Sequence, residues 1–287
     1  MSEVAVRAAS RDADRRRRHR RLVRGGVLGA CVVYLLALLI LPLAGIVWAA
    51  LKPGLGVVRD TFSQADVRHA FLLTAIIAVI TVTVTTFFGV IVAWVLVRQR
   101  FVGRGLLNAL VDLPFALSPV TVGLACVLLF GRGGWFEPFF AARGIQIMWA
   151  LPAMVLVTIF IAIPFVIREV QPVLEEVGTE EEDAARTLGA STIQSFMRVT
   201  LPNIRWGLLY GIALTTARSI GEIGAVLMVS GLIMGKTETA PLLIFRLTEE
   251  RDWAEAWVVA LTLAAVSIVI LATIEWFKHR SIREDEA

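Results

Sequence analysis

One stretch of this sequence comes close to a phosphate-binding loop. Residues 231–237 read GLIMGKT, but a phosphate-binding loop needs four residues between its two glycines and follows a strand. Only three residues separate Gly231 from Gly235, Ser230 holds the place of the first glycine, and the preceding run is apolar and of helix length. We therefore expect that the chain binds no nucleotide, metal or other cofactor, is not an enzyme, and takes its energy from a partner.

A pair of opposite charges lies inside an apolar run. Arg218 and Glu222 stand four residues apart in TTARSIGEIGAV, which places them on one face of a helix. Because each charge costs about 2.5–3.5 kcal/mol at the centre of a bilayer, such residues usually face the interior of a helix bundle. Two interpretations remain open. The pair locks helix packing, or Arg218 offers a positive site to a passing divalent anion.

Two prolines interrupt another apolar run. Pro114 and Pro119 lie in NALVDLPFALSPVTVG, residues 108–123. Proline frees backbone carbonyls, which a membrane helix tolerates where neighbours or a water-filled cavity satisfy them. The sequence is compatible with a kinked helix and with a broken helix that lines a translocation path, so the two prolines join the charged pair as candidate pathway residues.

A polar insert at residues 180–191, EEEDAARTLGAS, separates two long apolar runs. Thr179 and Glu182 form a T-x-x-E pattern, which predicts a capping box and a helix that starts at Glu180. We expect this helix to run to Leu188 and Gly189 to end it in a left-handed conformation.

A second capping pattern, S-x-x-Q, follows at Ser191 and Gln194. It predicts a second short helix that reaches about Val199, because Pro202 discourages continuation. Apolar residues cluster near the turn between the two helices: Leu188, Ile193, Phe196 and Met197. The insert is therefore either a knob that docks on another protein or a solvated loop whose helix rests on lipid.

The elements that must position these residues are membrane helices. The chain is 57% hydrophobic and only 18% charged, with a mean hydropathy of +0.75, which favours an all-α integral membrane protein. TVTVTT, residues 81–86, alternates like a strand, but a lone strand would leave its backbone unpaired in lipid, so we predict helix there. Six stretches are long enough to cross: Val27–Leu51, Phe71–Val97, Leu106–Phe130, Met148–Ile167, Gly207–Ile233 and Trp257–Phe277.

The distribution of Lys and Arg predicts the orientation. With the N-terminus inside, 19 of the 28 basic residues fall on the cytoplasmic side and eight on the other, so both termini should be cytoplasmic. The chain then divides into a basic tail (1–26), a transmembrane domain (27–277) whose longest cytoplasmic segment between spans is 168–206, and a C-terminal tail (278–287). The run RRRRHRR at 15–21 faces anionic lipid in this scheme and not nucleic acid.

The insert resembles a known motif. Its spacing, D-A-A-x-x-x-G, nine residues, then V-x-L-P, is similar to the EAA motif of ABC-importer permeases, E-A-A-x-x-x-G-x9-I-x-L-P, with an aspartate and a valine as the two departures. The resemblance implies a coupling helix that seats in a cleft of a cytoplasmic ATPase. The residues that match the motif are Asp183, Ala184, Ala185, Gly189, Val199, Leu201 and Pro202.

The likeness covers nearly the whole chain. DLPFALSPVTVG and ARSIGEIGAVLMVSG resemble the sulfate, thiosulfate and molybdate branch, and VTLPNIRWGLLYGIALTTARSIGE resembles its W-type sulfate/thiosulfate permease subunit. This implies an inner-membrane importer that works by alternating access with a second homologous permease, two ATPase subunits and an extracytoplasmic sulfate-binding protein. Import of molybdate or tungstate is the alternative, and an ion-coupled secondary transporter is a further one.

Overall fold

The computed structural model describes residues 3–285, with side chains for residues 26–276, and every regular element in that range is helical. The predicted all-α class is confirmed. The predicted tails, 1–26 and 278–287, lie outside the residues with described side chains, apart from Gly26. The helices are α1 (Glu3–Leu51), α2 (Leu55–Ser63), α3 (Ala65–Arg98), α4 (Arg104–Ala116), α5 (Pro119–Phe130), α6 (Glu137–Ala141), α7 (Leu151–Val177), α8 (Glu180–Thr187), α9 (Thr192–Ser195), a π-helix (Phe196–Thr200), α10 (Leu201–Asn203), α11 (Arg205–Ile220), α12 (Gly224–Ser230), α13 (Ala240–Glu249) and α14 (Trp253–Asp285).

Four helical stretches are long and apolar enough to cross a membrane by themselves: Gly26–Leu51, Ala65–Arg98, Leu151–Val177 and Trp253–Trp276. Two bent helix pairs bring the number of candidate spans in the described part of the chain to as many as six. All six predicted stretches therefore coincide with helices or helix pairs. TVTVTT lies inside α3 and is helical as expected.

The third predicted stretch is a broken helix. The axes of α4 and α5 differ by 110°. Leu117 and Ser118 are extended, as the residue before a proline tends to be, and Pro119 then begins α5 with its fixed φ. Pro114, in contrast, stays inside α4. Of the two interpretations of this stretch, the kinked helix is therefore excluded.

One predicted span is interrupted, and another lies in a helix that is longer than the span. The fifth stretch was expected to be continuous from Gly207, but it breaks after Ile220 and resumes at Gly224 with a bend of 52°. Hydropathy could not predict this break, because both of its sides are compatible with helix. α7 continues past the predicted span end at Ile167, through Pro172 to Val177, and the cytoplasmic placement of the segment 168–206 stays a prediction.

The chain divides into two compact units, residues 1–54 and 55–287. The first contains the apolar helix α1. In the second, α3, α7 and α11 pack together through glycines. A Cβ added at Gly89 would lie 2.9 Å from Val166, and one added at Gly211 would lie 3.0 Å from the Val166 Cα. Small residues let membrane helices approach this closely. The predicted domain boundaries at 26 and 277 remain predictions.

An ion cluster at α13 ties the second unit together at one end. Arg246 Nε lies 2.7 Å from Oε1 of the buried Glu238, and the other guanidinium nitrogens reach Glu250 at 3.0 Å and Asp66 of α3 at 3.4 Å. The hydrogen bond from Arg246 to Glu238 raises the pKa of the guanidinium. The cluster holds α13 against the start of α3, where Leu243 packs in a small apolar core.

Candidate functional site

The polar insert folds into the predicted first helix. It starts at Glu180, and Thr187 is its last residue, one short of the predicted end. Gly189 adopts a φ of 90°, which a side chain would disfavour. Its N–H bonds to the Arg186 carbonyl at 2.9 Å, and that of Ala190 bonds to the Ala185 carbonyl at 3.0 Å. The glycine therefore turns the chain as predicted.

The predicted capping box at Thr179 is wrong. The Thr179 side chain makes no cap hydrogen bond, and Glu182, the proposed reciprocal partner, is buried and turned towards Arg98 and Thr200. A buried arginine is a stronger partner for a carboxylate than a neutral backbone N–H. A contact from a distant part of the chain thus overrides the local motif.

The second capping box is confirmed, but the helix after it is longer than predicted. Ser191 Oγ accepts from the Gln194 N–H, and Gln194 Oε1 accepts from the Ser191 N–H. The helix does not stop near Val199. It widens into the π-helix and continues through Pro202 as α10. Since a proline ring crowds the carbonyl four residues earlier, the wider turn just before it gives room for the helix to continue.

The insert exposes three apolar side chains along one short segment. Leu188 is 89% exposed, Ile193 76% and Met197 55%. Asp183 of the same segment is also exposed and pairs with Arg186 at 3.0 Å. We call Asp183, Leu188, Ile193 and Met197 the outer ridge. Phe196, the fourth apolar residue of the predicted cluster, packs edge-on against Trp94 of α3, with ring centroids 6.4 Å apart, and Ile193 lines the same apolar pocket.

The residues that match the EAA-like motif fall on both sides of this segment. Those on its surface are Asp183, Ala184, Gly189 and Pro202, whereas Ala185, Val199 and Leu201 are half-buried. Leu201 packs against the apolar core that α3 and α7 share. The motif therefore combines an exposed face with residues that fix its support.

The support includes a buried ion pair that the sequence did not reveal. Arg98 Nε, at the end of α3, lies 3.1 Å from Glu182 Oε1, and both side chains are less than one-tenth exposed. The two residues are 84 positions apart, so no local pattern relates them. In the sequence, Glu182 stands out only as an acid in the first turn of α8 that lies outside the EAA-like motif.

The charged pair in the fifth stretch lies at the break between α11 and α12. Arg218 Nη2 and Glu222 Oε2 are 2.6 Å apart, and Glu222 Oε1 accepts the Ala225 N–H at 2.8 Å. The Glu222 carboxylate thus caps α12 while it holds the last turn of α11. It is 3% exposed. This geometry favours the packing role for Glu222. Arg218 remains about one-third exposed.

The two broken helix pairs meet at their breaks. A Cβ added at Gly224 would lie 2.9 Å from Pro119, and one added at Gly123 would lie 2.6 Å from Met228 Cβ and 2.8 Å from the Ala225 carbonyl. Pro119 therefore contacts the residue that begins α12, two positions after Glu222. Pro114 is buried within α4, before the break. The structure thus places Pro119 close to the charged pair, while Pro114 belongs to the preceding half-helix.

A second ion pair fastens the first half of the broken stretch. Asp112 of α4 accepts two hydrogen-bonding contacts from Arg168 of α7, at 2.8 and 2.6 Å. Arg168 also donates to the Asn108 side chain at 3.0 Å. These residues are too far apart in sequence for their pairing to be predicted. Together they hold α4 against the middle of the long helix α7.

The near phosphate loop, residues 231–237, forms turns between α12 and α13. It follows a helix, and the Ile233 N–H donates to Thr237 Oγ1 at 3.1 Å. The hydroxyl that a phosphate loop would direct at a ligand thus closes a local turn. The expectation that the chain binds no nucleotide stays a prediction.

Comparison with known proteins agrees with this architecture. The family described as binding-protein-dependent transport system inner membrane component matches residues 85–283. The sulfate transport system permease protein CysW of Synechocystis sp. is 44% identical over 89% of this chain and 92% of its own length, and that of Escherichia coli is 45% identical over 82% and 80%. The CysT protein of Salmonella typhimurium is 38% identical over 88% of this chain and 91% of its own length.

Among solved structures, a bacterial ABC transporter that imports the acidic polysaccharide alginate has a chain that aligns with a TM-score of 0.78, covering 91% of this chain and 96% of that one at 17% identity. At this identity the likeness establishes the fold alone. The sequence relatives establish more, because the best of those named here are more than 40% identical over most of both chains. The chain belongs to the family of binding-protein-dependent transport system inner membrane components and is a multi-pass membrane protein.

Proposed function

We propose that this chain is the permease subunit of an ATP-driven importer that carries sulfate or thiosulfate into the cytoplasm by alternating access. The relatives support the anion, since those at 44% and 45% identity are named sulfate transport permeases. The observation that carries the proposal is the outer ridge. It consists of three exposed apolar side chains and a carboxylate on a short helical segment, and the buried ion pair of Arg98 and Glu182 holds that segment in place.

The ridge is suited to a protein partner. Isolated exposed apolar side chains are normal on a protein surface, but three of them on one short polar insert favour an interaction site. A helix that projects such side chains from a rigid support can enter a groove on another protein. We infer that the groove belongs to a cytoplasmic ATPase and that the seven motif residues, Asp183 to Pro202, couple its movement to this chain.

The remaining subunits follow from the relatives. Some are named CysW and others CysT within sulfate transport systems, which supports a pair of homologous permeases. We infer two ATPase subunits beneath this pair and an extracytoplasmic sulfate-binding protein above it. The bias of Lys and Arg supports cytoplasmic termini.

We infer that fewer of the four candidate residues lie on the translocation pathway than the sequence predicted. Glu222 caps α12 and balances Arg218, so we infer that it maintains the break. The partly exposed Arg218 guanidinium is the group that can bind an anion. Pro119, at the start of α5, contacts Gly224, at the start of α12, close to this arginine. Pro114 contributes only to the shape of α4.

The docking proposal is tested with charge substitutions on the ridge. Leu188→Asp and Ile193→Asp should each abolish co-purification of the ATPase, because a buried unpaired carboxylate is costly at an interface. Val102→Asp is the matched control, since Val102 is also a fully exposed apolar residue, in the loop after α3. Retention of the ATPase by both ridge variants would overturn the proposal.

The anion is identified by direct uptake. Proteoliposomes that hold both permeases and the ATPase, with the binding protein outside, should accumulate labelled sulfate and thiosulfate. Accumulation of molybdate or tungstate in place of sulfate would establish the alternative substrate.

A further inference from the structure

Arg98 joins three helices at one buried point. Its guanidinium donates to the Leu174 carbonyl at 2.9 Å and to the Gly178 carbonyl at 2.5 Å, at the end of α7, and to Glu182 of α8 at 3.1 Å. The last carbonyls of a helix have no partner within the helix, so an arginine there caps it and complements its dipole. Arg98 itself is the last residue of α3.

Glu182 extends the same network to a fourth element. Its Oε1 also accepts from the buried Thr200 hydroxyl at 3.0 Å, and its Oε2 lies 3.6 Å from Arg186. Thr200 ends the π-helix that leads through α10 into α11, and its carbonyl accepts the Ile204 N–H. One carboxylate thus contacts the end of α3 directly, the end of α7 through Arg98, and the approach to α11 through Thr200.

Two consecutive acids of α8 face different ways. Asp183 follows Glu182 immediately but points to solvent, and the two acids therefore divide the helix between an inner and an outer face. Gly89 of α3 and both Gly207 and Gly211 of α11 bring these helices close to α7, so Glu182 is linked to a closely packed group of helices.

From this arrangement we propose that Arg98 and Glu182 are positioning residues that transmit the movement of α8 to α3, α7 and α11 together. The proposal rests on the proposed function, which supplies the ATPase that moves α8. The pair is specific in geometry. The three guanidinium nitrogens of Arg98 reach two carbonyls and a carboxylate at once, whereas a lysine has all its donors on one nitrogen and cannot span the same three acceptors.

The number of anions transported per ATP hydrolysed separates transmission from a merely structural role. If the pair only stabilised the fold, its loss would lower the amount of active complex, and uptake and stimulated hydrolysis would fall together at a constant ratio. If the pair transmits movement, hydrolysis continues while uptake falls.

The experiment uses the complete complex in proteoliposomes, with loaded binding protein outside and ATP inside. Glu182→Gln and Arg98→Lys are expected to lower the anions transported per ATP at least about tenfold, with the ATPase still bound in the wild-type proportion. Thr200→Val, which removes one uncharged donor, should lower the ratio less. Glu180→Gln and Arg100→Gln are the matched controls, since both residues are exposed neighbours in sequence, and should keep the wild-type ratio.

The outcomes are distinct. A wild-type ratio in Glu182→Gln and Arg98→Lys overturns the proposal and leaves the proposed function intact. A wild-type complex without ATP-dependent uptake overturns both. If either variant fails to assemble, Thr200→Val decides. A ratio below that of Glu180→Gln supports the proposal, and a wild-type ratio overturns it, because the proposed link from Glu182 to α11 runs through Thr200.

Discussion

Gly123→Ala tests the close packing of the two broken helix pairs. The added Cβ would lie 2.6 Å from Met228 Cβ and 2.8 Å from the Ala225 carbonyl oxygen, both closer than real Cβ contacts. The second neighbour is backbone and cannot rotate away, so α5 and α12 must separate. Overpacking of this kind costs about 1–3 kcal/mol.

The cost of the clash is best measured against a glycine with open space in the same compact unit. Gly105 lies in α4, and a Cβ there meets nothing within 4 Å. Both substitutions replace a helical glycine and gain up to about 1 kcal/mol of helix propensity, so the difference between the two variants reports chiefly the steric clash. A difference of about 2 kcal/mol corresponds to a midpoint of thermal unfolding that is about 4–8 °C lower for Gly123→Ala, at about 2–4 °C per kcal/mol.

The chain carries a suitable reporter. Cys126 is buried one helical turn from Gly123, whereas Cys31 is exposed. In a Cys31→Ser background, a thiol-reactive dye labels Cys126 only when its surroundings open, so labelling during heating reports the packing of α5. Equal midpoints for Gly123→Ala and Gly105→Ala would refute the argued contact between α5 and α12.

Two further predictions concern single side chains. Ser191→Ala should lower the free energy that stabilises the start of α9 by about 1 kcal/mol and speed amide exchange there about fivefold. Thr179→Ala, at the cap that does not form, should change amide exchange in α8 less than twofold. A larger effect of Thr179→Ala than of Ser191→Ala would contradict the assigned caps. Arg246→Gln leaves Glu238 buried without a cation and should cost about 3–5 kcal/mol, whereas Glu250→Gln removes only an exposed partner and should cost less than about 1 kcal/mol. Thermal unfolding measures the loss of stability in each variant, and similar losses in Arg246→Gln and Glu250→Gln would contradict the assigned ion cluster.

Sequence predicted the spans well because lipid imposes one requirement on every crossing segment. About 20 apolar residues must form a helix, since no other local structure satisfies the backbone. This rule located stretches that coincide with four apolar helices and two bent helix pairs, and it identified TVTVTT as helix. Pro119 left a kinked and a broken helix both open, and the structure decides for the break, which lies at the extended residues immediately before this proline.

The errors arose where distant residues decide. The T-x-x-E box at Thr179 is a valid local pattern, but Arg98 competes for the same carboxylate from 84 positions away. The break after Ile220 is a local exception, because Glu222 accepts the Ala225 N–H three residues away and thereby caps the second half-helix. The pairing of Asp112 with Arg168 required knowledge of which helices are neighbours.

In the candidate site, too, local features were predicted and those that depend on distant residues were not. The sequence of the insert predicted the helix that starts at Glu180 and the turn at Gly189, since both are set within one short segment. The side that supports the ridge was not predicted, because Glu182 and Thr200 acquire their roles only when α3 and α7 are folded.

The central claim is that ATP hydrolysis by a partner drives this chain through the segment 183–202. It is tested most directly by labelled sulfate uptake into proteoliposomes with the wild-type complex and with Gly189→Pro, which removes the N–H that closes the turn. The account predicts that wild-type uptake requires ATP inside the vesicles and that the variant hydrolyses ATP without uptake. Uptake by this chain alone on an ion gradient, or wild-type uptake by the variant, would contradict it.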